Sequence, residues 1–538
     1  MNRRAKKLPL PDNRGEVLNE IRPAALISVY DRTGVVELAR ALIAAGTTIY
    51  ATGGSAAHLR AAGLTVADVE DLTGFPALFD GRVKTLHPNV FGGILRDTTS
   101  AAHEADAARY KIPLLSTIVV NLYPFEATAA RAGASLQEAI EQIDVGGVSL
   151  LRAAAKNFER VTVLSDPVQY AELIAALPHA LSRDARRHLA TRAFERTAEY
   201  DAAISRYLES GLLTNELPGS LALTIPIEQP LRYGENPQDR AAFYLARETT
   251  LPEQLWGKAL SYNNLLDLDA TLRMLVRAQS GIAAPFALAP AHCRAAIVKH
   301  TVPCGVAERE TVAAAVRAAL DADPISAYGG IIAVDGPIDL AAAESLGEFF
   351  LEIVAAPAFE PDALARLQRK KNLRIMRFEA GMPQRIAQEL RVRSALGGVL
   401  AEDDDPAAPA ETWHVASERA PGPGEWRDLI FAWDIVRHVK SNGVAVVRDV
   451  VSRGICAGQT NRVSAVRIAG ERAGSFATGA ACASDGFFPF ADGLVAAAEA
   501  GCSAVIAPSG SIRDAEVVAA ADERNIALVF SNYRYFLH

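Results

Sequence analysis

Apolar and polar positions in the front part of the chain fall into blocks that switch between a strand period and a helix period. The nearly unbroken apolar run Ala24-Ala25-Leu26-Ile27-Ser28-Val29 reads as a strand buried on both faces. The turn Tyr30-Asp31-Arg32-Thr33-Gly34 follows, and Val35, Leu38, Ala39, Leu42 and Ile43 then recur at helical spacing. The pattern returns with a strand over Thr47–Ala51, a turn at Thr52-Gly53-Gly54-Ser55 and a helix over Ala56–Ala62. Thr117–Val120 and Val161–Leu164 are two further strands, with a helix over Val148–Asn157 between them. Strands alternating with helices predict a parallel sheet covered on both faces, whose ligands bind beyond the carboxyl ends of the strands.

Behind this block, Asp166 to about Ser210 is helical and charged, including Arg183–Tyr207. Gly211–Pro230, carrying Pro218, Gly219, Pro226 and Pro230, reads as a junction. The remaining ~300 residues mix strands such as Gly330–Val334 with Ala-rich helices, and are too many for one typical domain. A second break is expected near Glu402–Gly424, where Asp403-Asp404-Asp405-Pro406 and Pro421-Gly422-Pro423-Gly424 cluster. The predicted organisation is a polar tail (1–23), a first domain (24–215), a linker (216–230) and two further parts (231–410 and 411–538), with no internal sequence repeat.

Bulk properties narrow the function. A chain of 538 residues exceeds one hydrophobic core. The net charge of −8 offers no global attraction for nucleic acid, so anionic ligands need local basic groups. The basic start Met1-Asn2-Arg3-Arg4-Ala5-Lys6-Lys7 meets Pro9, Pro11, Asp12 and Asn13 where a signal peptide needs an apolar core. The longest uncharged stretch, Ala278–Cys293, holds Gln279, Ser280, two prolines and His292 and makes a poor membrane span. A cytoplasmic protein that engages no membrane is therefore expected. The five cysteines, Cys293, Cys304, Cys456, Cys482 and Cys502, are scattered and odd in number, which speaks against a disulfide framework, and no pair has metal-ligand spacing.

In the front block, Thr52-Gly53-Gly54-Ser55 has the composition of a phosphate cradle: glycines admit the anion, and hydroxyls and helix N–H groups donate to it. An ordinary turn capped by Ser55 has the same composition. Gly81-Arg82-Val83-Lys84-Thr85-Leu86-His87-Pro88 sets two cations either side of Val83, aimed at one anion or simply solvated. Asn121-Leu122-Tyr123-Pro124-Phe125 ends an apolar strand in a polar, aromatic turn. Gln142-Ile143-Asp144-Val145-Gly146-Gly147 leads into a helix holding Arg152 and Lys156, where Lys156 can instead snorkel to solvent.

In this order, over about Ala24 to Tyr207, these segments resemble the inosine monophosphate (IMP) cyclohydrolase domain, whose fold is similar to that of methylglyoxal synthase. The resemblance implies that Ser28, Arg32, Thr52, Gly53, Gly54, Ser55, Arg82 and Thr85 hold the nucleotide. It places Lys84, Asn121, Tyr123, Asp144 and Lys156 around the reacting formyl and carboxamide groups. Ring closure there needs a cation on the developing oxyanion and a group that relays protons, a role open to Tyr123 or Asp144. Many members of that family carry Lys where Arg32 stands; the charge is kept and the donor geometry changes.

In the back half, Leu231-Arg232-Tyr233-Gly234-Glu235-Asn236-Pro237 joins a cation and an aromatic ring in a loop that suits a nucleotide or serves only as a linker. Ala295-Ala296-Ile297-Val298-Lys299-His300-Thr301-Val302-Pro303-Cys304-Gly305 reads as a buried strand that runs into Lys299-His300 and stops in a Pro–Gly turn. A histidine beside a lysine is held neutral and suited to act as a base; alone, it is as readily a structural histidine. Further marks are Ser326–Gly330, Lys440-Ser441-Asn442, Ala457–Arg462, Ser484-Asp485-Gly486-Phe487-Phe488-Pro489-Phe490 and Pro508–Ser511. The Phe-Phe-Pro-Phe run is either core or, beside Asp485 and Asp492, the wall of a slot for a flat ring.

This set resembles the aminoimidazole carboxamide ribonucleotide (AICAR) formyltransferase domain over about Pro230 to His538, including the ending Asn532-Tyr533-Arg534-Tyr535-Phe536. The implied fold class is α/β, with a methylglyoxal-synthase-like parallel sheet followed by a pair of cytidine-deaminase-like subdomains. Zinc-binding H-x-E and P-C-x-x-C are missing, since Ala307 stands where the second Cys belongs, so no metal is expected. The resemblance further implies formyl transfer from 10-formyltetrahydrofolate as co-substrate. His300 would take the amino proton, Lys299 stabilise the oxyanion, Asn442 orient the formyl group and Asp492 contact the pterin, with Phe487 in the slot. Arg232, Tyr233, Arg462 and Arg534 would bind the nucleotide, and a homodimer is implied.

Four positions depart from that family. Gln238 stands where a catalytic His is common, Val302 where a polar residue is usual, Cys456 where Gly is usual, and Ala491 where Arg is frequent. Gln238 hydrogen-bonds without exchanging a proton. Two other readings follow: a chain whose formyl transfer is weakened or uses another one-carbon donor, and a sensor that binds a phosphorylated metabolite through Thr52–Ser55 without catalysis. The joint presence of Lys84, Tyr123, Asp144 and Lys156 speaks against the sensor.

Overall fold

The computed structural model describes residues 23–538 apart from 80, 132, 211–216, 246–248, 278–292 and 404–411. The polar tail, most of the uncharged stretch 278–293 and the acidic part of the second expected break lie outside the described residues. The chain divides into two compact units, one ending at Pro226 and the other beginning at Ile227.

The first unit is built on strands β1 (Ala24–Ser28), β2 (Thr48–Ala51), β3 (Ala67–Asp68), β4 (Leu115–Val120) and β5 (Thr162–Leu164). They lie in the order β3-β2-β1-β4-β5, every neighbouring pair parallel. The apolar runs explain the burial: Leu26, Ile27, Ile118, Val119 and Val163 have no exposed surface and sit between helices on the two faces. Ile27 pairs with Ala51 and Ser28 with Val120, so the polar residues after these strands come level at one edge. The chain order reverses direction across the sheet between β1 and β4, which makes that edge a topological switch point. The expected turn Thr52–Ser55 is tighter than its sequence suggested, because the helix already begins at Gly53 and runs to Ala61.

In the second unit, β6 (Ile227–Leu231) and β7 (Ala241–Tyr244) form a small antiparallel pair. The expected linker therefore gives way to strand at Ile227. Pro230 is tolerated because a two-stranded ribbon leaves its missing N–H at an edge.

The remaining strands of the unit are β8 (Glu253–Trp256), β9 (Cys293–Lys299), β10 (Val302–Arg309), β11 (Ile331–Val334), β12 (Ile353–Ala356), β13 (Arg374–Arg377), β14 (Arg391–Ala395), β15 (Gly398–Glu402), β16 (Trp413–Val415), β17 (Val444–Arg448), β18 (Val451–Cys456), β19 (Ala481–Ser484), β20 (Ala504–Pro508) and β21 (Ala527–Ser531). Twelve of them form one sheet, in the order β16-β21-β20-β19-β17-β18-β10-β9-β11-β12-β13-β8.

That order contains a repeat absent from the sequence reading. Six strands in chain order, β8 to β13, occupy the same relative places as β16 to β21, and the two sixes meet antiparallel at Ala307 and Val451. The pairing senses also match: antiparallel at β9–β11 and β17–β19, parallel at β11–β12 and β19–β20. Even the packing constraints coincide. A Cβ on Gly305 would strike the carbonyl of Ala319, and one on Gly454 that of Ala469, because the helix after each hairpin lies directly on its strand.

Candidate active sites

At the switch point of the first unit, the end of β1 is stitched to its neighbours. Thr52 Oγ1 donates to Ser28 Oγ at 3.1 Å, the Val29 N–H donates to Ser55 Oγ at 3.0 Å, and Ser55 Oγ donates to the Val29 carbonyl at 3.2 Å. Thr52 and Ser55 are thereby buried, and the free N–H groups of the Gly53–Ala61 helix open at the strand edge. Arg32 lies over this helix start, with its guanidinium 3.1 Å from where a Cβ on Gly54 would be. Asn121, from the end of β4, spends its side chain on the loop: Oδ1 accepts from the Tyr30 and Asp31 N–H groups, and Nδ2 donates to the Asp31 carbonyl. In the structure its side chain fixes the loop that carries Arg32.

Beside the cradle is a charged cluster. Asp144 Oδ1 accepts from the Gly147 N–H at 2.6 Å, capping the Gly146–Lys156 helix, and only a glycine at 147 leaves room for that carboxylate. Burial raises the Asp144 carboxyl above its ordinary value, against the pull of the Gly147 N–H, the Lys84 ammonium and the Tyr123 N–H. The Tyr123 hydroxyl is raised in turn, by burial and by Asp144. Thr85 is buried with its Oγ1 against Gly146. Lys84, Thr85, Tyr123 and Asp144 thus converge.

Arg82 and Lys156 stand apart from that cluster. Arg82 does not share a target with Lys84 but turns to Glu141 at 2.6 Å, an exposed pair of the kind worth about 0–1 kcal/mol. Lys156 ends a helix that returns to the start of β5, about 15 Å along the axis from Gly146 at 1.5 Å per residue. It is exposed at the opposite edge, where it complements the helix dipole.

In the second unit, the Lys299-His300 signal lies in a hairpin turn. Val302 to Arg309 is strand, with Pro303 opposite Val298, so the expected Pro–Gly turn is instead β10 with an irregularity between Pro303 and Gly305. The turn is Lys299-His300-Thr301-Val302, with φ of 55° at His300 and 60° at Thr301. Asp267, on the Tyr262–Arg273 helix, accepts the N–H groups of both, at 3.3 and 2.6 Å. Lys299 Nζ donates to the Tyr328 carbonyl at 2.7 Å, and the His300 side chain is left exposed.

A cavity of about 450 Å³ lies between Asn442, Arg462, Phe487, Phe488, Asp492 and Phe536, among others. Asn442 Nδ2 donates to the Gln459 carbonyl at 2.9 Å. Arg462 is buried, donating to Ser484 Oγ at 2.7 Å and to the Asp485 carboxylate. Of the Phe-Phe-Pro-Phe run, Phe488 is core and Phe490 half-exposed, and both line the cavity. Arg534 stacks on Phe536 at 4.8 Å, which carries it to the rim of the cavity. Because β10 and β18 pair antiparallel at Ala307 and Val451, the Lys299–Val302 turn, which opens β10, and Cys456, which ends β18, lie towards the same end of the sheet.

The β6–β7 loop makes its own arrangement. Arg232 stacks on Tyr233 at 4.7 Å and donates to its hydroxyl, Asn236–Asp239 closes a tight turn, and Gln238 is exposed on it. Asn263 Nδ2 donates to the Glu235 carbonyl, so the loop is anchored to the helix that carries Asp267.

Comparison with known proteins decides the family. The profile of the AICARFT/IMPCHase bienzyme matches residues 154–472, and that of MGS-like domains matches residues 34–149. The crystal structure of ForH is 35% identical over 35% of this chain and 98% of its own, with a TM-score of 0.33. The bifunctional purine biosynthesis protein PurH of Desulfitobacterium hafniense is 47% identical over 529 residues, 96% of this chain and 99% of that protein. Its counterpart in Parasynechococcus marenigrum is 46% identical over 531 residues, 96% and 100% of the two chains. The chain belongs to the AICARFT/IMPCHase bienzyme family.

Two groups in this bienzyme escaped sequence reasoning. The buried Tyr200 hydroxyl accepts from the Asp144 N–H at 2.9 Å and donates to the Gln142 carbonyl at 2.8 Å, and burial pushes it up to about 12. Asp267 is the other. Both act on backbone more than thirty positions away in the chain, and neither sits in a local motif. Among the described residues, no helix is long and apolar enough to cross a membrane, and no three His, Cys, Asp or Glu side chains group as metal ligands.

Proposed function

We propose that this chain carries out the last two steps of purine nucleotide synthesis, transferring a formyl group from 10-formyltetrahydrofolate to AICAR and closing the product to IMP. The observation that carries this reading is the pairing of two sites of different chemistry on one chain of the bienzyme family. One is Lys84, Tyr123 and Asp144 beside an anion cradle; the other is the Lys299-His300 turn beside the Asn442–Arg462 cavity.

In the first unit the nucleotide phosphate sits at the Gly53–Ala61 helix start, with Ser28, Arg32, Thr52 and Ser55 around it. The carboxamide nitrogen attacks the formyl carbon, and the carbonyl electrons move to oxygen beside Lys84. Asp144 takes the carboxamide nitrogen's proton, directly or relayed through the Tyr123 hydroxyl, and returns it to the oxygen. The C–O bond then breaks as the formamido nitrogen gives up its proton and forms the ring C=N bond, so that the oxygen leaves as water. The reaction is intramolecular, so a folded substrate supplies much of the rate. Lys156 is assigned no contact with the reacting atoms.

In the second unit the imidazole amino group attacks the formyl carbon on N10 of the folate. His300 accepts the amino proton, Lys299 faces the tetrahedral oxyanion, and the C–N10 bond breaks as N10 regains a proton. Asn442, Phe487 and Asp492 hold the folate, while Arg232, Tyr233, Arg462 and Arg534 hold the nucleotide. The two six-stranded halves are read as the cytidine-deaminase-like pair. A cytoplasmic homodimer is part of the same proposal.

A paired assay tests it: AICAR with 10-formyltetrahydrofolate in one arm, the formylated nucleotide alone in the other, following tetrahydrofolate and IMP. Both arms should turn over. Closure without transfer removes the formyltransferase half and favours the weakened-transfer reading that Gln238 suggests.

A further inference from the structure

The two halves of the second unit repeat one device around their central hairpins. In the first, Asp267 accepts the N–H groups of His300 and Thr301. In the second, Asp428, on the Pro423–Val436 helix, accepts those of Asp449 and Val450 at 3.0 and 2.8 Å. Asp449 and Val450 have φ of 55° and 56°, close to the 55° and 60° of the first turn. The cation before each turn repeats as well. Lys299 donates to the Tyr328 carbonyl and Arg448 to that of Thr478, each three residues ahead of the next strand.

Both turns need left-handed backbone at two successive positions, yet neither Lys299–Val302 nor Arg448–Val451 contains a glycine. The conformation is therefore imposed from outside, and the bidentate aspartate is the group placed to impose it. What differs is the cargo: an exposed histidine on one turn, an aspartate on the other.

We infer that Asp267 is a positioning residue for formyl transfer, aiming His300 by clamping its turn, while Asp428 is the same clamp with an architectural role alone. The inference rests on the reading of His300 as the group that takes the amino proton. His300 departs from the end of β9 in a direction fixed by its own φ and by the N–H that Asp267 holds. Were the clamp released, the turn would relax towards negative φ and the imidazole would leave the direction in which the turn now holds it. Displacements of about 1 Å at a reacting group cost on the order of 10²-fold in rate.

Asp267→Asn and Asp428→Asn, made separately in the full chain, test this. Transfer kcat and KM, ring closure and melting temperature are measured on each. Asp267→Asn should lower transfer kcat about 10- to 100-fold, with KM for AICAR within about threefold. Asp428→Asn should keep transfer within about twofold of wild type while losing as much melting temperature, and both should close the ring normally. Asp267→Asn/Thr301→Gly supplies left-handed backbone without the clamp, and should recover transfer several-fold while guarding against a single variant that does not fold.

Equal transfer by wild type and Asp267→Asn overturns the inference. So does equal loss in Asp267→Asn and Asp428→Asn, and so does a double variant that closes the ring normally yet transfers no better than His300→Ala. A wild-type chain that transfers no formyl group removes the activity reading itself, and is recognised because the fault then precedes any substitution.

Discussion

In the first unit Ser28, Thr52, Asn121 and Tyr123 follow the carboxyl ends of parallel strands at the sheet's switch point, and the loops between helices bring Lys84 and Asp144 to Tyr123. In the second they ride on a hairpin turn and on the strand ends of a duplicated architecture, where the Asp267 clamp has a twin in Asp428. The first arrangement rests largely on glycines and hydroxyls that lie within a few positions of each other, with Asn121 and Tyr200 holding its backbone from farther off. The second rests almost wholly on backbone held from a distance. A site of the first kind announces most of itself in short motifs; one of the second kind shows its reactive residues and hides what aims them.

The sharpest way to break this contrast is to remove His300, the group proposed to take the amino proton at the second site. His300→Ala should lower formyl transfer by about 10²–10⁴-fold, the usual worth of a general base, and leave closure of the formylated nucleotide intact. Tetrahydrofolate release and IMP formation measure the two independently. If closure falls in step, the two sites are not separate and the contrast fails.

How far each site could be read from the chain follows from the same difference. The apolar runs gave β1, β2, β4 and β5 to within a residue or two, because a strand buried on both faces leaves a continuous signal. Thr52–Ser55 and Asp144–Gly147 were legible for a similar reason, since cap, glycine and helix start are contiguous. The hairpin was misread because Pro303-Cys304-Gly305 carries turn residues while the true turn carries none. Pro303 fits in strand beside an irregularity, and Gly305 is there to admit the Ala319 backbone. The duplication left little contiguous trace because its matched residues, such as Asp267 with Asp428 and Gly305 with Gly454, are scattered singly along the chain. Asp335-Gly336 and Asp485-Gly486, each just after the fourth strand of its half, are a rare exact match.

Next in size is the first unit's counterpart. Asp144→Asn should slow ring closure about 10²–10³-fold, as should Lys84→Met, with transfer unchanged, read in the same two assays. The wild-type closure rate should also fall on the acid side at a pH above the ordinary carboxylate range, since burial raises the Asp144 carboxyl and it protonates early. A limb at or below that range would mean that another group controls closure.

A smaller effect separates the units by the sign of their response to acid. Asp144 has a folded value above its unfolded one, so its contribution to stability is greatest at low pH and declines as pH rises through the folded value. Glu425 is the reverse. Burial would raise it, but hydrogen bonds from Arg419, Ser503 and the Gly422 N–H bring it to about 2. Its stabilisation is present above the ordinary carboxylate range and is lost as pH falls towards about 2. Glu425→Gln should lower the melting temperature of the second unit by about 2–4 °C near neutrality, with the difference closing in acid. Calorimetry at several pH values reads this directly, and a difference that persists at the acid end would place the stabilisation elsewhere.

The smallest expected change bears on Gln238, one of the four positions at which this chain departs from the family pattern. Gln238 is exposed on the turn Asn236–Asp239, and its backbone is set by Pro237 and by the Asp239 N–H to Asn236 carbonyl bond, not by its own side chain. The loop is nevertheless tied through Asn263 to the helix whose Asp267 clamps His300, so a proton-exchanging group at 238 would enter the same network. Gln238→His should then raise transfer by about 2- to 10-fold, a small share of the ~10²–10⁴ that a fully engaged acid or base supplies, and leave ring closure untouched. If transfer stays level while the melting temperature also holds, the loop does not serve the hairpin site, and Arg232 and Tyr233 lose their place in nucleotide binding along with it.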